Sequence, residues 1–328
     1  MNKRVLVTEP MDNAGLSLLE GRDDIEAVFA DDIEPETLAR LLPGVHGVAT
    51  RSAFFPADLL ALANNLEVMS RHGVGCDRID VAHLTGRGIP MAIAAGANAQ
   101  SVAEHTMAMT LSLARHQVAQ DAAARARDYS ARDRLVATDL DGATMVIVGF
   151  GRIGRKVAPL ARAFGMNVTV VDIKLDRDLA ASMGCKAVED FRPELATADF
   201  VTLHVPLDET TRHMMSTAEF NAIKPGAIVI NCARGGIIDE AALIAALDAG
   251  QIAGAGLDVL STEPPAADAA IIGPLLQRTD MIVAPHTGAS SFGAKREMAR
   301  MAIQNVLDAF DGKLAPDCIF NLEGLEGK

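Results

Sequence analysis

A strand-like run, Thr144-Met145-Val146-Ile147-Val148, leads straight into Gly149-Phe150-Gly151-Arg152-Ile153-Gly154, and residues 152–164 then take helical spacing. In a chain with 27 glycines a bare G-x-G-x-x-G is a weak sign. Set between a strand and a helix, it is the arrangement of a dinucleotide turn. There the glycines allow a tight bend and let backbone approach a pyrophosphate, whose charge the helix N-terminal amides stabilise. The next apolar run ends at Asp172, eighteen residues past Gly154. A carboxylate there can accept from a ribose 2′-hydroxyl and would repel a 2′-phosphate, which favours NAD over NADP.

The rest of the chain repeats this alternation. Apolar runs at 5–8, 45–49, 66–70 and 91–94 alternate with helical spacing at 13–20, 35–42 and 56–63. A long helix is expected over 98–126, with Ser101 and Glu104 as a capping box and apolar positions, Val118 among them, that wrap widely. A second series follows, with strands expected at 144–148, 167–171, 200–205, 227–231, 254–259 and 281–284 and helices at 152–164, 218–222, 239–249 and 294–310. These strands are almost wholly apolar, as strands covered on both faces are. At 328 residues the length suits two α/β domains, each a doubly wound parallel sheet, ahead of a polar, Gly-containing tail.

Charge narrows the function. A formal net charge of −13 opposes a nucleic-acid backbone or an anionic membrane. No apolar run approaches bilayer-spanning length, and the start Met-Asn-Lys-Arg-Val-Leu-Val reads as a first strand ended by Glu9 and Pro10. Cys76, Cys185, Cys232 and Cys318 lie far apart and form no C-x-x-C pair, so neither a zinc site nor a disulfide framework is expected. A reducing cytoplasm fits best.

Chemistry on a nicotinamide needs a proton donor or acceptor and a cation for the substrate's anionic groups. Of eight histidines, His204 and His286 each close an apolar run at the carboxyl end of an expected strand, where open α/β sheets bind ligands. Spacing does not choose between them. Arg234 follows the run ending at Asn231 and precedes Gly235-Gly236, which puts a guanidinium at the same edge. Glu263 precedes two prolines just after Leu257-Asp258-Val259.

Taken together, these stretches resemble the D-isomer-specific 2-hydroxyacid dehydrogenases, and within them the phosphoglycerate dehydrogenase branch. The likeness runs nearly end to end: Arg71-His72-Gly73-Val74-Gly75-Cys76-Asp77, Val102-Ala103-Glu104-His105, the glycine turn, His204-Val205-Pro206-Leu207, Asn231-Cys232-Ala233-Arg234-Gly235-Gly236, Glu263-Pro264-Pro265, and Pro285-His286-Thr287-Gly288-Ala289. It implies a Rossmann-type NAD-binding domain at 99–287, inserted into a flavodoxin-like substrate domain made of 1–98 and 288–328. It implies a catalytic Arg234, Glu263 and His286. Cofactor contacts carried over are Val74, Gly149, Gly151, Arg152, Ile153, Gly154, Asp172, His204, Val205, Pro206, Cys232, Ala233, Arg234, Asp258, His286 and Gly288. For substrate they are Arg51, Ser52, Arg71, Gly73, Val74, Gly75, Asn98 and Arg234, with the two further arginines suited to a distal anion.

The expected reaction is hydride transfer between NAD(H) and a D-2-hydroxyacid or 2-keto acid with an anionic distal group, such as 3-phosphoglycerate. Hydroxypyruvate, glyoxylate or sulfolactate are alternatives, and an NAD(H)-sensing, corepressor-like binding protein is the alternative of another class. The resemblance also implies a homodimer or homotetramer joined through the NAD-binding domain, in a short form without a regulatory domain. The chain departs from many phosphoglycerate dehydrogenases at Ile93-Ala94-Ala95, where they carry Asn-Thr-Pro, and has His72 where they often have a small residue.

Overall fold

The computed structural model describes residues 2–266 and 270–327. These fall into two compact units, one of 1–98 with 290–328 and one of 99–289.

The first unit carries five parallel strands: β1 (Lys3–Val7), β2 (Ile25–Phe29), β3 (Gly47–Thr50), β4 (Val68–Arg71) and β5 (Met91–Ile93), ordered β2-β1-β3-β4-β5. Alternate residues of each strand supply two separate cores. Leu6, Val48, Met69 and Met91 pack with Leu38, Leu42, Leu60 and Leu84 on one face. Val5, Val7, Ala49, Val68 and Ala92 meet Leu19, Ile303, Val306 and Leu307 on the other. Both faces are covered, so polar residues have no place to alternate with apolar ones. The helices Asn13–Glu20 and Phe292–Phe310 pack closely, and at Gly15 a Cβ would collide with the backbone of Ala299.

In the second unit, β6 (Thr144–Val148), β7 (Asn167–Val171), β8 (Lys186–Val188), β9 (Phe200–Leu203), β10 (Ala227–Asn231), β11 (Ile252–Leu257) and β12 (Met281–Val283) are all parallel. Their order is β12-β11-β10-β9-β6-β7-β8. Val102, Met109 and Leu113 of helix Ala99–Ala114, with Val157 and Ala161 of helix Gly154–Ala163, cover one face. Phe220, Leu243, Leu247 and Leu275 cover the other. Both orders are doubly wound: the sequence runs outward from β1 and from β6 in two directions. Each sheet therefore has a topological switch point, between β1 and β3 and between β6 and β9, where the carboxyl ends of neighbouring strands open a crevice.

Several sequence expectations need correction. The long helix over 98–126 is two, Ala99–Ala114 and Gln117–Arg125, broken at His116, whose φ of +49° lies in the left-handed region. Val118 belongs to the second and is exposed, not part of a widely buried face. Ser101 and Glu104 form no capping box. Ser101 lies inside the helix, its hydroxyl donates to the Gly288 carbonyl (2.7 Å), and Glu104 accepts from Gln100. Strands β2 and β8 were not expected, nor were the helices Val81–Gly86, Arg177–Ser182 and Ile272–Leu276. The tail is ordered into Leu322–Glu326, with the Phe320 amide bonded to the Met91 carbonyl. Among the described residues no helix is long and apolar enough to cross a membrane.

Candidate active site

At the switch point of the second sheet the three glycines of the turn do different jobs. Gly149 has φ +99°, and a Cβ on it would stand 2.6 Å from the carbonyl carbon and oxygen of His204, at the end of β9. A Cβ on Gly154 would strike the Gly149 carbonyl and press on Ile147. Both are therefore required by the protein's own packing. Gly151 differs: a Cβ there would meet nothing within 4 Å. It leaves an open space above the turn at the start of helix Gly154–Ala163, as a pyrophosphate seat requires. Arg152 beside it is exposed, and Ile153 is half-buried.

Asp172, just past β7, closes this turn. Its carboxylate accepts from the Phe150 amide (2.7 Å) and the Lys174 amide (2.9 Å), so it steadies the glycine turn as well as facing outward. The next residue, Ile173, is 99% exposed. The sequence reading gave this aliphatic side chain no role. The residues fit a dinucleotide.

The two strand-end histidines part company here. The His204 ring turns inward, with Nε2 3.0 Å from the Thr202 hydroxyl, and burial pushes its pKa down to about 3. It stays neutral in the working range, which suits neither a general acid nor a charge partner. After it, Val205 is half-buried and Pro206 exposed.

His286 follows β12 and is half exposed on its side chain. Its Nδ1 lies 2.7 Å from Glu263 Oε2. A carboxylate only accepts, so Nδ1 carries the hydrogen and Nε2 is left for another partner. The bond to Glu263 raises the His286 pKa against the opposing effect of burial, and the Glu263 and Asp258 charges add to it. For Glu263, burial works against ionisation, but bonds from His286 and the Leu260 amide outweigh it and hold the pKa below its ordinary value.

His286 adopts φ +54°, a left-handed backbone that costs a non-glycine residue roughly 1–2 kcal/mol. Asp258, buried at the end of β11, holds it there. Its carbonyl accepts from the His286 amide (2.8 Å), and its carboxylate accepts from the Thr287 (2.7 Å) and Gly288 (2.8 Å) amides. His105 Nε2 stands 3.3 Å from the same carboxylate.

Arg234 is presented by the turn after β10. Asn231, buried, accepts from the Ala233 amide (3.0 Å) and donates to the Arg234 carbonyl (2.8 Å), which fixes the backbone on both sides of the guanidinium. Cys232 packs against the Met109 sulfur, and burial pushes its thiol up to about 12, so it stays a neutral spacer. Arg234, Glu263, His286 and Asp258 thus share one edge of one sheet.

At the switch point of the first sheet lies an acidic residue that sequence reading treated only as a strand end. Glu9 is buried, and its carboxylate accepts from the Arg51 amide (2.8 Å), the Ser52 amide (2.7 Å), the Thr8 hydroxyl (2.7 Å) and the Ser52 hydroxyl. Burial opposes ionisation, yet these bonds leave its pKa lowered. Arg71 directs Nε to the Gly75 carbonyl (2.8 Å) and Nη1 to the Arg51 carbonyl, bracing the loops after β3 and β4. The two arginines expected to act alike are therefore unlike. Arg51 is exposed, while Arg71 is engaged with backbone. Gly73 (φ +145°), Val74, Gly75 and Asn98 sit at this edge without charge. His72 is buried, its Nε2 3.2 Å from the Lys295 carbonyl and its pKa lowered by burial.

Two doubly wound units, one with a glycine turn and an imidazole–carboxylate pair at the same sheet edge, define a nicotinamide-dinucleotide dehydrogenase architecture. Residues 107–288 match the profile of the D-isomer specific 2-hydroxyacid dehydrogenase NAD binding domain. Hydroxypyruvate reductase of Thermotoga maritima is 35% identical over 305 residues, 92% of this chain and 97% of that protein. D-3-phosphoglycerate dehydrogenase of Methanocaldococcus jannaschii is 36% identical over 317 residues, 96% of this chain but 59% of that protein. The chain spans little more than half the length of the phosphoglycerate dehydrogenases it matches. D-lactate dehydrogenase from Aquifex aeolicus, whose crystal structure holds NAD and lactic acid, superposes with a TM-score of 0.82 at 26% identity, covering 99% of this chain and 98% of that one. The chain belongs to the D-isomer specific 2-hydroxyacid dehydrogenase family.

Proposed function

We propose that the protein is an NAD-dependent D-2-hydroxyacid dehydrogenase that interconverts a 2-keto acid and its D-2-hydroxyacid. The observation that carries this is the 2.7 Å pairing of His286 with Glu263 at the sheet edge that also presents Arg234. NAD(H), bound over Gly151 with its ribose on Asp172, would supply or accept the hydride. Arg234 would grip the substrate carboxylate and the reacting oxygen with its fork of donors, holding the carbon in line for transfer. In reduction the imidazolium of His286 donates from Nε2 to the developing alkoxide. In oxidation the neutral ring takes the hydroxyl proton. Glu263 fixes the tautomer and favours the charged ring.

The substrate's far end would meet Arg51, Ser52 and the amides of 73–75, with Arg71 as the brace that shapes this loop pair. An exposed guanidinium in a chain of net charge −13 favours an anionic distal group, such as the phosphate of a 3-carbon acid. The 1–98 and 290–328 unit is accordingly the substrate domain and 99–289 the cofactor domain. Val118, Tyr129 and Val136, exposed at 65%, 73% and 72% within one stretch of the second unit, support a homodimer through that unit. The cytoplasm suits four free, separated cysteines.

The test is NADH consumption with phosphohydroxypyruvate, hydroxypyruvate, sulfopyruvate, glyoxylate and pyruvate. A highest kcat/KM with one of the distal-anion substrates supports the reading. Turnover of none of them at high protein concentration would instead favour an NAD(H)-sensing binding protein.

A further inference from the structure

The loop that carries Glu263 rests on a second carboxylate that the proposed reaction does not use. Glu240 is the first residue of the helix Glu240–Asp248 and is buried. Its Oε1 accepts from the Ser261 amide (2.7 Å) and its Oε2 from the Ser261 hydroxyl (2.6 Å). Among the described residues no cation pairs with it. Glu240 stands at the N-terminus of its helix, where a carboxylate is favourably placed. What the group does locally is hold Ser261 by two bonds.

Ser261 lies two residues before Glu263, beside Leu260, whose amide donates to Glu263 Oε1 (2.9 Å) and so leaves Oε2 for His286. The same loop is held at a second place. Gly235 comes so close to the Leu260 carbonyl that a Cβ would overlap it. Gly235 and Glu240 both belong to the segment after β10, the one that presents Arg234. A single stretch of chain thus sets Arg234 directly and, through Gly235 and Glu240, the loop of Glu263.

We propose that Glu240 is a positioning residue for the acid–base pair: by fixing Ser261 it sets the reach of Glu263 to His286. The inference rests on the reading of Glu263 and His286 as that pair. The charged groups that face His286 are Glu263, Asp258 and Arg234. Glu240→Ala removes both acceptors that hold Ser261 and leaves Glu263, Asp258 and Arg234 as they are. Glu240→Gln removes the same charge but can keep both bonds, its oxygen accepting from the Ser261 amide and its NH2 donating to the Ser261 hydroxyl oxygen, so it reports the charge without the geometry. Ser261→Ala removes the hydroxyl alone, at an exposed position, and leaves the amide bond in place.

The experiment is the pH profile of kcat/KM for NADH-dependent reduction of the best 2-keto acid, with NADH affinity measured in parallel by its fluorescence. The profile is recorded for the wild type, Glu240→Ala, Glu240→Gln, Ser261→Ala and Glu263→Gln. With the carboxylate partner removed, Glu263→Gln lowers the alkaline limb by about one pH unit. Glu240→Ala should move the limb in the same direction by roughly half as much, Glu240→Gln by clearly less, and Ser261→Ala by a smaller resolvable step, with NADH affinity within about twofold of wild type. If Glu263→Gln moves the limb while Glu240→Ala and Ser261→Ala leave it in place, or if Glu240→Gln moves it as far as Glu240→Ala, Glu240 does not act by positioning and the proposal is overturned. If Glu263→Gln does not move it either, the pair itself is wrong and the proposal falls with it. Should Glu240→Ala not fold, Ser261→Ala decides the matter.

Discussion

Two glycines three residues apart, Gly151 and Gly154, separate folding from binding. A methyl on Gly154 must push into the Gly149 carbonyl. Gly154→Ala should therefore cost about 1–3 kcal/mol in a denaturant titration. A methyl on Gly151 enters open space. Gly151→Ala should fold with unchanged stability yet weaken NADH binding by roughly tenfold or more, because the methyl takes the pyrophosphate's place. Equal stability losses in both would remove the distinction. His286 gives a second residue-level expectation, in pH. Its folded pKa is raised above 6.5, chiefly by Glu263. Reduction needs the protonated ring and should hold its rate below that raised pKa and decline above it. Oxidation needs the neutral ring and should rise through the same pH. Coincident limbs of the same sign in the two directions would contradict the assignment.

Strands and loops show which parts of the design the sequence carries. Strands β6, β7 and β10 match the expected runs residue for residue, because strands covered on both faces are continuous apolar stretches. Strand β2 was lost because Glu26 and Phe29 lie exposed at a sheet edge, so its run is neither apolar nor cleanly alternating. Strand β8 is another short edge, begun by an exposed Lys186. Among candidate site residues, Arg234, Glu263 and His286 stand at strand ends or beside prolines, where position makes them candidates; the family resemblance, not spacing, chose His286 over His204. Glu9, Glu240 and Asn231 carry no such mark, because a buried hydrogen-bonding role leaves no period in the chain. Glu9 and Glu240 reach Arg51, Ser52 and Ser261 only once distant parts of the chain are brought together, whereas Asn231 bonds within its own turn, to Ala233 and Arg234.

Glu9 belongs to that level. Glu9→Ala leaves two amides and two hydroxyls without their acceptor and should lower stability by about 1–3 kcal/mol. It should also raise KM for a distal-anion keto acid more than for glyoxylate, since the Arg51 loop is freed. A uniform loss on both substrates would confine Glu9 to folding. The folded pKa of Glu9 is lowered, so its stabilising contribution is complete above the unfolded pKa of about 4.3 and is lost as pH falls through the lower, folded value.

For the assembled protein, the stretch after helix Ala99–Ala114 is the part to watch. It folds back on its own unit through Thr138 to Ala114 (2.8 Å) and His116 to Val136 (3.1 Å), while Val118, Tyr129 and Val136 stay in solvent. A chain of 34.5 kDa should elute and scatter light as a dimer or tetramer. Tyr129→Asp with Val136→Asp should shift it toward the monomer, because placing two charges in an apolar interface is unfavourable. A wild-type monomer at micromolar concentration would contradict the proposed interface while leaving the active-site chemistry intact.

That chemistry is tested by one comparison: single-turnover and steady-state reduction of the best keto acid by wild type and by His286→Asn, with NADH affinity measured on both. The account predicts that the variant binds NADH within about twofold of wild type and loses roughly 10²–10⁴ in kcat, the range of a lost general acid. A variant that turns over within a few-fold of wild type would show that the proton comes from elsewhere and that the His286–Glu263 pair is not the acid–base centre.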